Sequence, residues 1–442
     1  MHRTVGIGWL MCLLVGLLAG ASGARAAAVS LDVALDRSTL AAGERQTAYL
    51  RIALTGKADT GIAYRAPLNV ALVIDRSGSM AGRKIEQAKR AALAALDRMG
   101  PDDIVSVVAY DTTATVLVPA TKVSDRETIE RGIRRLRADG STALFAGTVK
   151  GAREVRKFKS RDRVNRVVLL SDGIANVGPS SPGELAELGA RLREEGIGVS
   201  TVGLGVDYNG DLMVALARSS GALFTFVEEE ADLERLFETG FGGMKSIVAT
   251  DLRVEIRFAE GFRPLRCFGR DAVVLDDRVT IGVAQLYGAG PEEILCSFET
   301  SALTESSRKV AEVDVRYHWL PTDSEETSRA AAAAEFSSNR ERVEGSVNPV
   351  VRVSVVQRLA DEEAVAAMRL REEGRVEEAL RALESAQDKV DEAARRYRDE
   401  RLLRQSRDLQ EDQDSLADPA RWKRQEKHMG RRSLRQLSDD FL

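Results

Sequence analysis

In the segment NVALVIDRSGSM, residues 69–80, an apolar run ends abruptly and polar side chains follow. Residues 70–74 are all apolar, as is typical of a strand buried on both faces of a sheet. Asp75, Ser77 and Ser79 then follow at two-residue spacing. The sequence therefore predicts a buried strand whose end directs one carboxylate and two hydroxyls towards one place.

Around this stretch, residues 67–247 alternate between apolar strands and amphipathic helices, which predicts a mostly parallel sheet covered on both faces. The segment ATVLVP (114–119) follows its predecessor after a very short turn and is predicted as an antiparallel edge strand. Helices are predicted at 81–99, 125–137, 142–158, 183–195, 210–219 and 230–247. In the first of them a buried stripe recurs every three or four residues, formed by Ile85, Ala88, Ala92, Leu96 and Met99.

The flanking segments 27–66 and 248–320 show the period-two alternation of half-exposed strands. A β segment as short as the first one would struggle to bury a core alone, since domains below about 40 residues usually need help. We therefore expect the two segments to form one β-sandwich, with two separate β modules as the alternative. The predicted fold class is α/β, a doubly wound, mostly parallel sheet inserted in a β-sandwich, with a C-terminal helical region.

The remaining sequence is more polar. Residues 321–347 are predicted to be a linker with some helical content, and residues 348–412 a helical hairpin region with a break at Gly374. Residues 413–442 are predicted to form a charged tail, either solvated or, as the minority alternative, anion-binding.

The N-terminus predicts export. Residues 1–26 combine a basic start, an apolar run shorter than the roughly 20 residues of a membrane span, and small residues that suit cleavage. We expect a cleaved signal peptide and a periplasmic or secreted protein of the cell envelope, with an uncleaved anchor as the alternative. No later segment is apolar enough to span a bilayer.

The net charge argues against one class of function, and the cysteine content leaves two structural possibilities open. Cleavage would remove Arg3 and Arg25, so the formal net charge of -4 would become -6. This modest value argues against a nucleic-acid binder. Cys267 and Cys296 would remain, and both a disulfide and a buried free thiol are compatible with the sequence.

Two later loops place oxygen ligands at the same edge of the predicted sheet. Thr142 lies in DGSTALFAG (139–147), and Asp172 follows the strand RVVLL. Ligands of doubly wound sheets bind beyond the carboxyl ends of the strands. Carboxylates and hydroxyls are hard oxygen ligands, which suit Mg²⁺ or Mn²⁺, with Ca²⁺ as a further alternative. Each Ser, Thr or Asp alone has another explanation, because these residues often cap helix N-termini.

The five residues together resemble the von Willebrand factor type A domain and its metal-ion-dependent adhesion site. The family pattern is Asp-x-Ser-x-Ser followed by a distant Thr and a distant Asp, and the chain fills every position, with Asp75, Ser77, Ser79, Thr142 and Asp172. The resemblance covers residues 67–247. It implies that the serines contact the metal directly, Thr142 does so when ligand is bound, and the aspartates act largely through waters or hydrogen bonds.

The resemblance also implies a protein partner whose Glu or Asp carboxylate completes the metal coordination. The alternatives are a metal-assisted hydrolase or a structural envelope protein whose metal stiffens its loops. Against a hydrolase, only His318 and His428 would remain after cleavage, both outside the α/β domain in sequence. A further variant is a self-ligand from the tail, such as Asp439 or Asp440. The identity of the partner and the oligomeric state stay open.

Overall fold

The structure is a computed structural model of the 442-residue chain. It describes residues 27–57, 64–205, 208–229, 231–269, 272–288 and 290–416, and beyond them 418, 421, 422, 425, 426, 428 and 429. The predicted signal peptide (1–26) and the last 13 residues of the predicted tail (430–442), with Asp439 and Asp440, lie outside the described residues.

The chain begins with three strands, β1 (Val29–Leu35), β2 (Thr39–Ala41) and β3 (Gln46–Gly56). The α/β domain follows, with strands β4 (Leu68–Asp75), β5 (Ile104–Tyr110), β6 (Ala114–Lys122), β7 (Val164–Ser171), β8 (Gly198–Leu204) and β9 (Phe224–Val227). Its helices are α1 (Arg83–Asp97), α2 (Arg126–Arg134), α3 (Leu144–Arg156), α4 (Pro182–Glu194), α5 (Gly210–Ser219) and α6 (Asp232–Lys245).

The α/β sheet has the strand order β6-β5-β4-β7-β8-β9. All neighbours are parallel except β6, which lies at the edge, antiparallel to β5, as ATVLVP predicted. Every residue of β4, β5 and β7 is buried, because apolar clusters cover both faces of the sheet. In α1 the predicted stripe is buried. The predicted fold class is confirmed for this domain.

The strands after α6 complete the sandwich. They are β10 (Ile247–Phe258), β11 (Phe262–Cys267), β12 (Ala272–Val274), β13 (Arg278–Tyr287), β14 (Glu292–Thr300), β15 (Ser306–Trp319) and β16 (Ser324–Ser337). One sheet has the order β1-β3-β14-β11 and the other β12-β13-β10-β15-β16-β2. Strands from before and after the α/β domain therefore share both sheets, so the joint sandwich is confirmed and the alternative of two separate β modules is wrong.

The prediction that residues 321–347 form a linker is wrong, because most of this segment is a strand. Residues 324–337 form β16, which pairs antiparallel with β15 over residues 324–336 and parallel with β2. The sequence SEETSRAAAAAEFS is rich in alanine, a strong helix former. Backbone pairing with a long neighbour and burial of alternate alanines against the sandwich core outweigh that propensity.

Cys267 and Cys296 form a disulfide in the structure. They are directly opposed on the neighbouring strands β11 and β14, with Cα atoms 4.0 Å apart. The sequence left this pairing open, because strand register cannot be deduced from spacing alone.

The C-terminal region is helical, with α7 (Arg340–Gly345), α8 (Pro349–Glu372), α9 (Val376–Tyr397) and α10 (Glu400–Ser415). Asn348 caps α8 by accepting hydrogen bonds from the amides of Val350 and Val351. Gly374, with φ of +79°, ends the first arm of the hairpin. Among the described residues, no helix combines the length and apolarity that crossing a membrane requires.

The α/β domain packs on the sandwich next to β13. The Arg166 guanidinium, on β7, donates to Gln285 Oε1 of β13. Gly221 approaches Ala284 so closely that an added Cβ would lie 2.5 Å from the Ala284 Cβ, and its φ of +70° also favours glycine. The sandwich therefore contacts the inserted domain near the starts of β7 and β9.

Candidate metal centre

The site forms where β4 and β7 end side by side. The two strands are parallel neighbours, with Ile74 opposite Leu170, so Asp75 and Asp172 follow at the same edge of the sheet. Both carboxylates are almost completely buried. The structure therefore brings together two acidic groups from strand ends nearly a hundred residues apart in sequence.

Asp75 anchors the loop that follows β4. Its Oδ1 accepts a hydrogen bond from the Ser77 amide at 2.8 Å, and its Oδ2 accepts one from the Ser171 hydroxyl at 2.7 Å. Burial raises the pKa of the Asp75 carboxyl, hydrogen bonds from Ser171 and Ser77 oppose this shift, and the nearby Asp172 charge adds to it. The Asp75 carboxylate thus holds the loops after β4 and β7 in place, although burial and the Asp172 charge disfavour its ionised form.

The serine hydroxyls connect Asp75's loop to Asp172. Ser77 Oγ lies 3.1 Å from Ser79 Oγ, and Ser79 Oγ donates to Asp172 Oδ1 at 2.7 Å. The other Asp172 oxygen accepts from the Lys84 ammonium, which extends from the first turn of α1. Ser77 stands at the start of a short helical turn but makes no capping bond with its hydroxyl. The simple capping explanation therefore does not account for this serine.

Thr142 completes the group from a third loop. Its amide donates to Asn176 Oδ1 at 2.9 Å, and its carbonyl accepts from the Asn176 amide at 3.1 Å. Ala143, not Thr142, is the N-cap of α3, and no side chain caps this helix. Helix capping therefore does not explain Thr142 either.

Three hydroxyls from the other two loops converge at Gly173. A Cβ added to this glycine would lie 3.3 Å from Ser79 Oγ, 3.3 Å from Thr142 Oγ1 and 3.9 Å from Ser77 Oγ. Because residue 173 has no side chain, that position is left free. The structure thus brings all five predicted site residues to one place.

The donor set fits a hard divalent cation. It consists of hydroxyl and carboxylate oxygens, the ligands of Mg²⁺, Mn²⁺ and Ca²⁺. It contains no Cys or His, which a zinc site normally uses. Among the described residues, no group of three or more His, Cys, Asp and Glu side chains could hold a metal. Any cation at this edge would therefore rely on neutral hydroxyls beside the two carboxylates.

Sequence reasoning missed three residues that support the site, Ser171, Lys84 and Asn176. Ser171 was visible as the residue before Asp172, and Asn176 lies four positions after it, so the loop sequence SDGIAN carried a usable signal. Lys84 had no such signal, because its contact with Asp172 depends on how α1 is oriented above the sheet. Of the two histidines that would remain after cleavage, His318 is buried on β15 of the sandwich beside Asp323. His428 packs edge-on against Phe226 of the α/β domain.

Comparison with known proteins agrees with this architecture. The family model described as von Willebrand factor type A domain matches residues 69–239. An uncharacterized protein of Synechocystis sp. is 34% identical over 235 residues, which are 52% of this chain and 54% of that protein. Inter-alpha-trypsin inhibitor heavy chain H3 of Mesocricetus auratus is 28% identical over 198 residues, 43% of this chain and 22% of that protein.

A solved structure extends the similarity beyond the matched domain. The von Willebrand factor type A protein of Catenulispora acidiphila superimposes with a TM-score of 0.73 over 93% of this chain and 97% of that one, at 15% identity. At this identity the likeness concerns the fold alone. The chain spans only about half of the Synechocystis protein and less of the inhibitor heavy chain. The match to the family model, together with the strand order, establishes that residues 69–239 of this chain form a von Willebrand factor type A domain.

Proposed function

We propose that this chain is an exported, non-enzymatic binding protein that recognises an acidic residue of a partner protein through a divalent cation at the candidate metal centre. Von Willebrand factor type A domains are generally involved in protein–protein interaction. The observation that carries the proposal is the convergence of three hydroxyls at Gly173, beside Asp75 and Asp172.

In this proposal Ser77, Ser79 and Thr142 contact the cation, and the two aspartates orient them. Asp75 holds the Ser77 amide and the Ser171 hydroxyl, and Asp172 orients Ser79. A bound Mg²⁺ or Mn²⁺ with neutral hydroxyl ligands supplies an electron-poor position that accepts a carboxylate. Lys84 adds positive charge on the Asp172 side.

The surface next to the centre supports a protein rather than a small ion as the partner. Ile174 directly follows Gly173 and is 61% exposed. Ser79 and Gly78 are also exposed at this edge. An exposed isoleucine beside an electropositive position suits a partner whose Glu or Asp is flanked by apolar residues.

The test has two steps. The first measures metal binding, and the second measures binding of a partner protein. Mn²⁺ titration followed by electron paramagnetic resonance measures metal binding to the purified chain and to Asp172→Ala. Asp102→Ala is the matched control, since Asp102 is an exposed acid at the opposite end of the domain's strands. We expect Mn²⁺ binding by the wild type and the control and a large loss in Asp172→Ala. Equal Mn²⁺ binding in all three proteins would refute the assignment of the site.

The second step uses the native cell envelope. The chain is incubated with envelope extract in Mg²⁺ or in excess chelator, and retained proteins are identified by mass spectrometry. A partner retained in Mg²⁺ by the wild type and Asp102→Ala, and lost with chelator or Asp172→Ala, supports metal-dependent binding. The same partners under every condition would contradict it and favour a structural role for the site.

Export is the third part of the proposal. It rests on the composition of residues 1–26 and is supported by the Cys267–Cys296 disulfide, since disulfides persist mainly in oxidising compartments. N-terminal sequencing of the protein from its native host should find a start near residue 27. A chain that retains residues 1–26 would instead favour an anchored form.

A further inference from the structure

A second feature of the domain, separate from the metal centre, is a cavity of about 340 Å³ between the sheet and α6. Its floor is formed by β7, β8 and β9, and α6 forms its wall. Tyr287, at the end of β13 in the sandwich, closes one side. The cavity is therefore built by both parts of the molecule and falls in the size range of small-ligand sites.

Most of the cavity lining is apolar. The side chains that supply this surface come from both strands and helix, and include Val168, Val202, Leu223, Phe237, Phe241 and Met244. Thr239 and Gly240 also line the cavity and are exposed, so the cavity reaches the surface along α6. An apolar molecule thus has both a place to lie and a route to enter.

Arg166 gives this apolar cavity a positive charge. Its side chain is among the largest fully buried ones, with 1% of the residue exposed. Nη1 donates to Ser200 Oγ at 2.9 Å, and Nη2 donates to Gln285. Nε has no hydrogen-bond partner among the described residues. Both of these hydrogen-bond partners are neutral, so no acidic side chain among them balances the guanidinium.

A buried cation of this kind is costly, because burial removes water without supplying an opposite charge. Burial accordingly lowers the pKa of the Arg166 guanidinium, and the neighbouring Tyr287 opposes the shift. Gly198 makes the arrangement sterically feasible, since an added Cβ there would lie 3.2 Å from both Nε and Cζ of Arg166. The fold thus leaves room for a charge that it does not neutralise.

We propose that this cavity binds a small amphiphilic carboxylate, a monoanion with an apolar body. The carboxylate lies at Arg166, whose planar donor groups match its geometry. The apolar body lies among Val202, Leu223 and Phe237. The proposal concerns a different site from the metal centre, which lies at the carboxyl edge of the sheet, and it does not depend on the proposed function.

The test is calorimetric titration of the full chain with hexanoate, octanoate and decanoate, and with the alcohols of the same chain lengths. All titrations contain excess chelator, so that no divalent cation can hold a carboxylate at the metal centre. We expect one-to-one binding of at least one carboxylate, about tenfold or more tighter than its alcohol, since bonds to charged groups are the stronger ones. No binding by any carboxylate, or equal affinity for acid and alcohol, would overturn the proposal.

Three variants identify the site. Arg166→Gln should weaken carboxylate binding about tenfold and leave alcohol binding unchanged. Arg153→Gln, the same change at an exposed arginine of α3, should bind as the wild type does. Thr225→Trp fills the cavity from the edge strand and keeps Arg166, so it should abolish binding of acid and alcohol alike. Circular dichroism verifies that each variant is folded, and unchanged carboxylate affinity in folded Arg166→Gln or Thr225→Trp would refute the site.

Discussion

Strand β7 has a buried charge near each end, and the two charges are treated differently. Beyond its carboxyl end, Asp172 faces the ammonium of Lys84 and the hydroxyl of Ser79. Near its start, the hydrogen-bond partners of Arg166 are the neutral side chains of Ser200 and Gln285. The Asp172 carboxylate is paired with an ammonium, whereas the Arg166 guanidinium lies against an apolar cavity without an acidic neighbour among these partners.

This difference separates two kinds of buried polar group. The group at Asp172 is assembled from loops at strand ends, and the chain itself supplies partners for this carboxylate, the Lys84 ammonium and the Ser79 hydroxyl. The Arg166 guanidinium has no opposite charge among its hydrogen-bond partners, and an unpaired buried charge is destabilising. Three substitutions test whether this distinction is correct.

The largest effect is expected at Gly173. In Gly173→Ala the new Cβ occupies the point on which the three hydroxyls converge. Divalent-metal affinity should fall about 100-fold, the upper range for changes that disturb the groups around a metal. The contacts of 3.3 Å are tight without being prohibitive, so the variant should fold.

Gly183→Ala is the control for this substitution, since an added Cβ there meets nothing within 4 Å. Mn²⁺ titration by electron paramagnetic resonance provides the measurement. If Gly173→Ala bound Mn²⁺ as tightly as Gly183→Ala, the cation would not lie where the hydroxyls converge.

An intermediate effect is expected when Asp172 loses its cationic neighbour. Lys84→Met leaves the buried carboxylate without the ammonium, which should lower the free energy of unfolding in chelator by about 1–2 kcal/mol. The value is at the low end for a charged pair because the Lys84 side chain is 27% exposed and screened by water. Urea denaturation at low and high salt is the measurement, and a loss that does not shrink with salt would contradict an electrostatic cause.

The smallest effect is expected at Arg166, the other buried charge of this comparison. Arg166→Met removes the guanidinium and leaves no acid unpaired, so the free energy of unfolding should change by less than about 1 kcal/mol. The half-buried Ser200 and Gln285 can bind water instead. Urea denaturation is again the measurement of the free energy of unfolding. A loss larger than that of Lys84→Met would mean that Arg166 is primarily a strut between the domain and the sandwich.

The sequence was sufficient to predict the layers of the α/β domain and the convergence of the five candidate site residues at one edge of its sheet. Continuous apolar strands such as β4 and β7 carry their own signal, because burial on both faces excludes polar residues. Four of the five site residues lie at or just after the end of a strand, and Thr142 lies just before a helix. The topology of the sheet brings such positions to one edge. Whether they bind a metal stays a prediction.

The sequence was insufficient where distant partners decide the structure. The alanines of β16 form a strand because β15 lies beside them. Arg166 begins the segment RVVLL, which was correctly predicted as a strand, but its contact with Gln285 spans 119 residues. Its burial beside a cavity depends on how the sandwich docks, which no local pattern encodes.

The interrupted sandwich has a consequence for the order in which the chain folds. The amide of Val29 donates to the hydroxyl of Tyr317, 288 residues later, and β3 pairs with β14 only after the whole inserted domain has been made. Local contacts form sooner than distant ones, because closing a long loop costs entropy. β1 and β3 can pair with each other early, but β3 must wait for β14, so the inserted domain folds before the sandwich is complete. Once it has folded, it holds the ends of β3 and β10 near each other and so acts as a template for the sandwich that surrounds it.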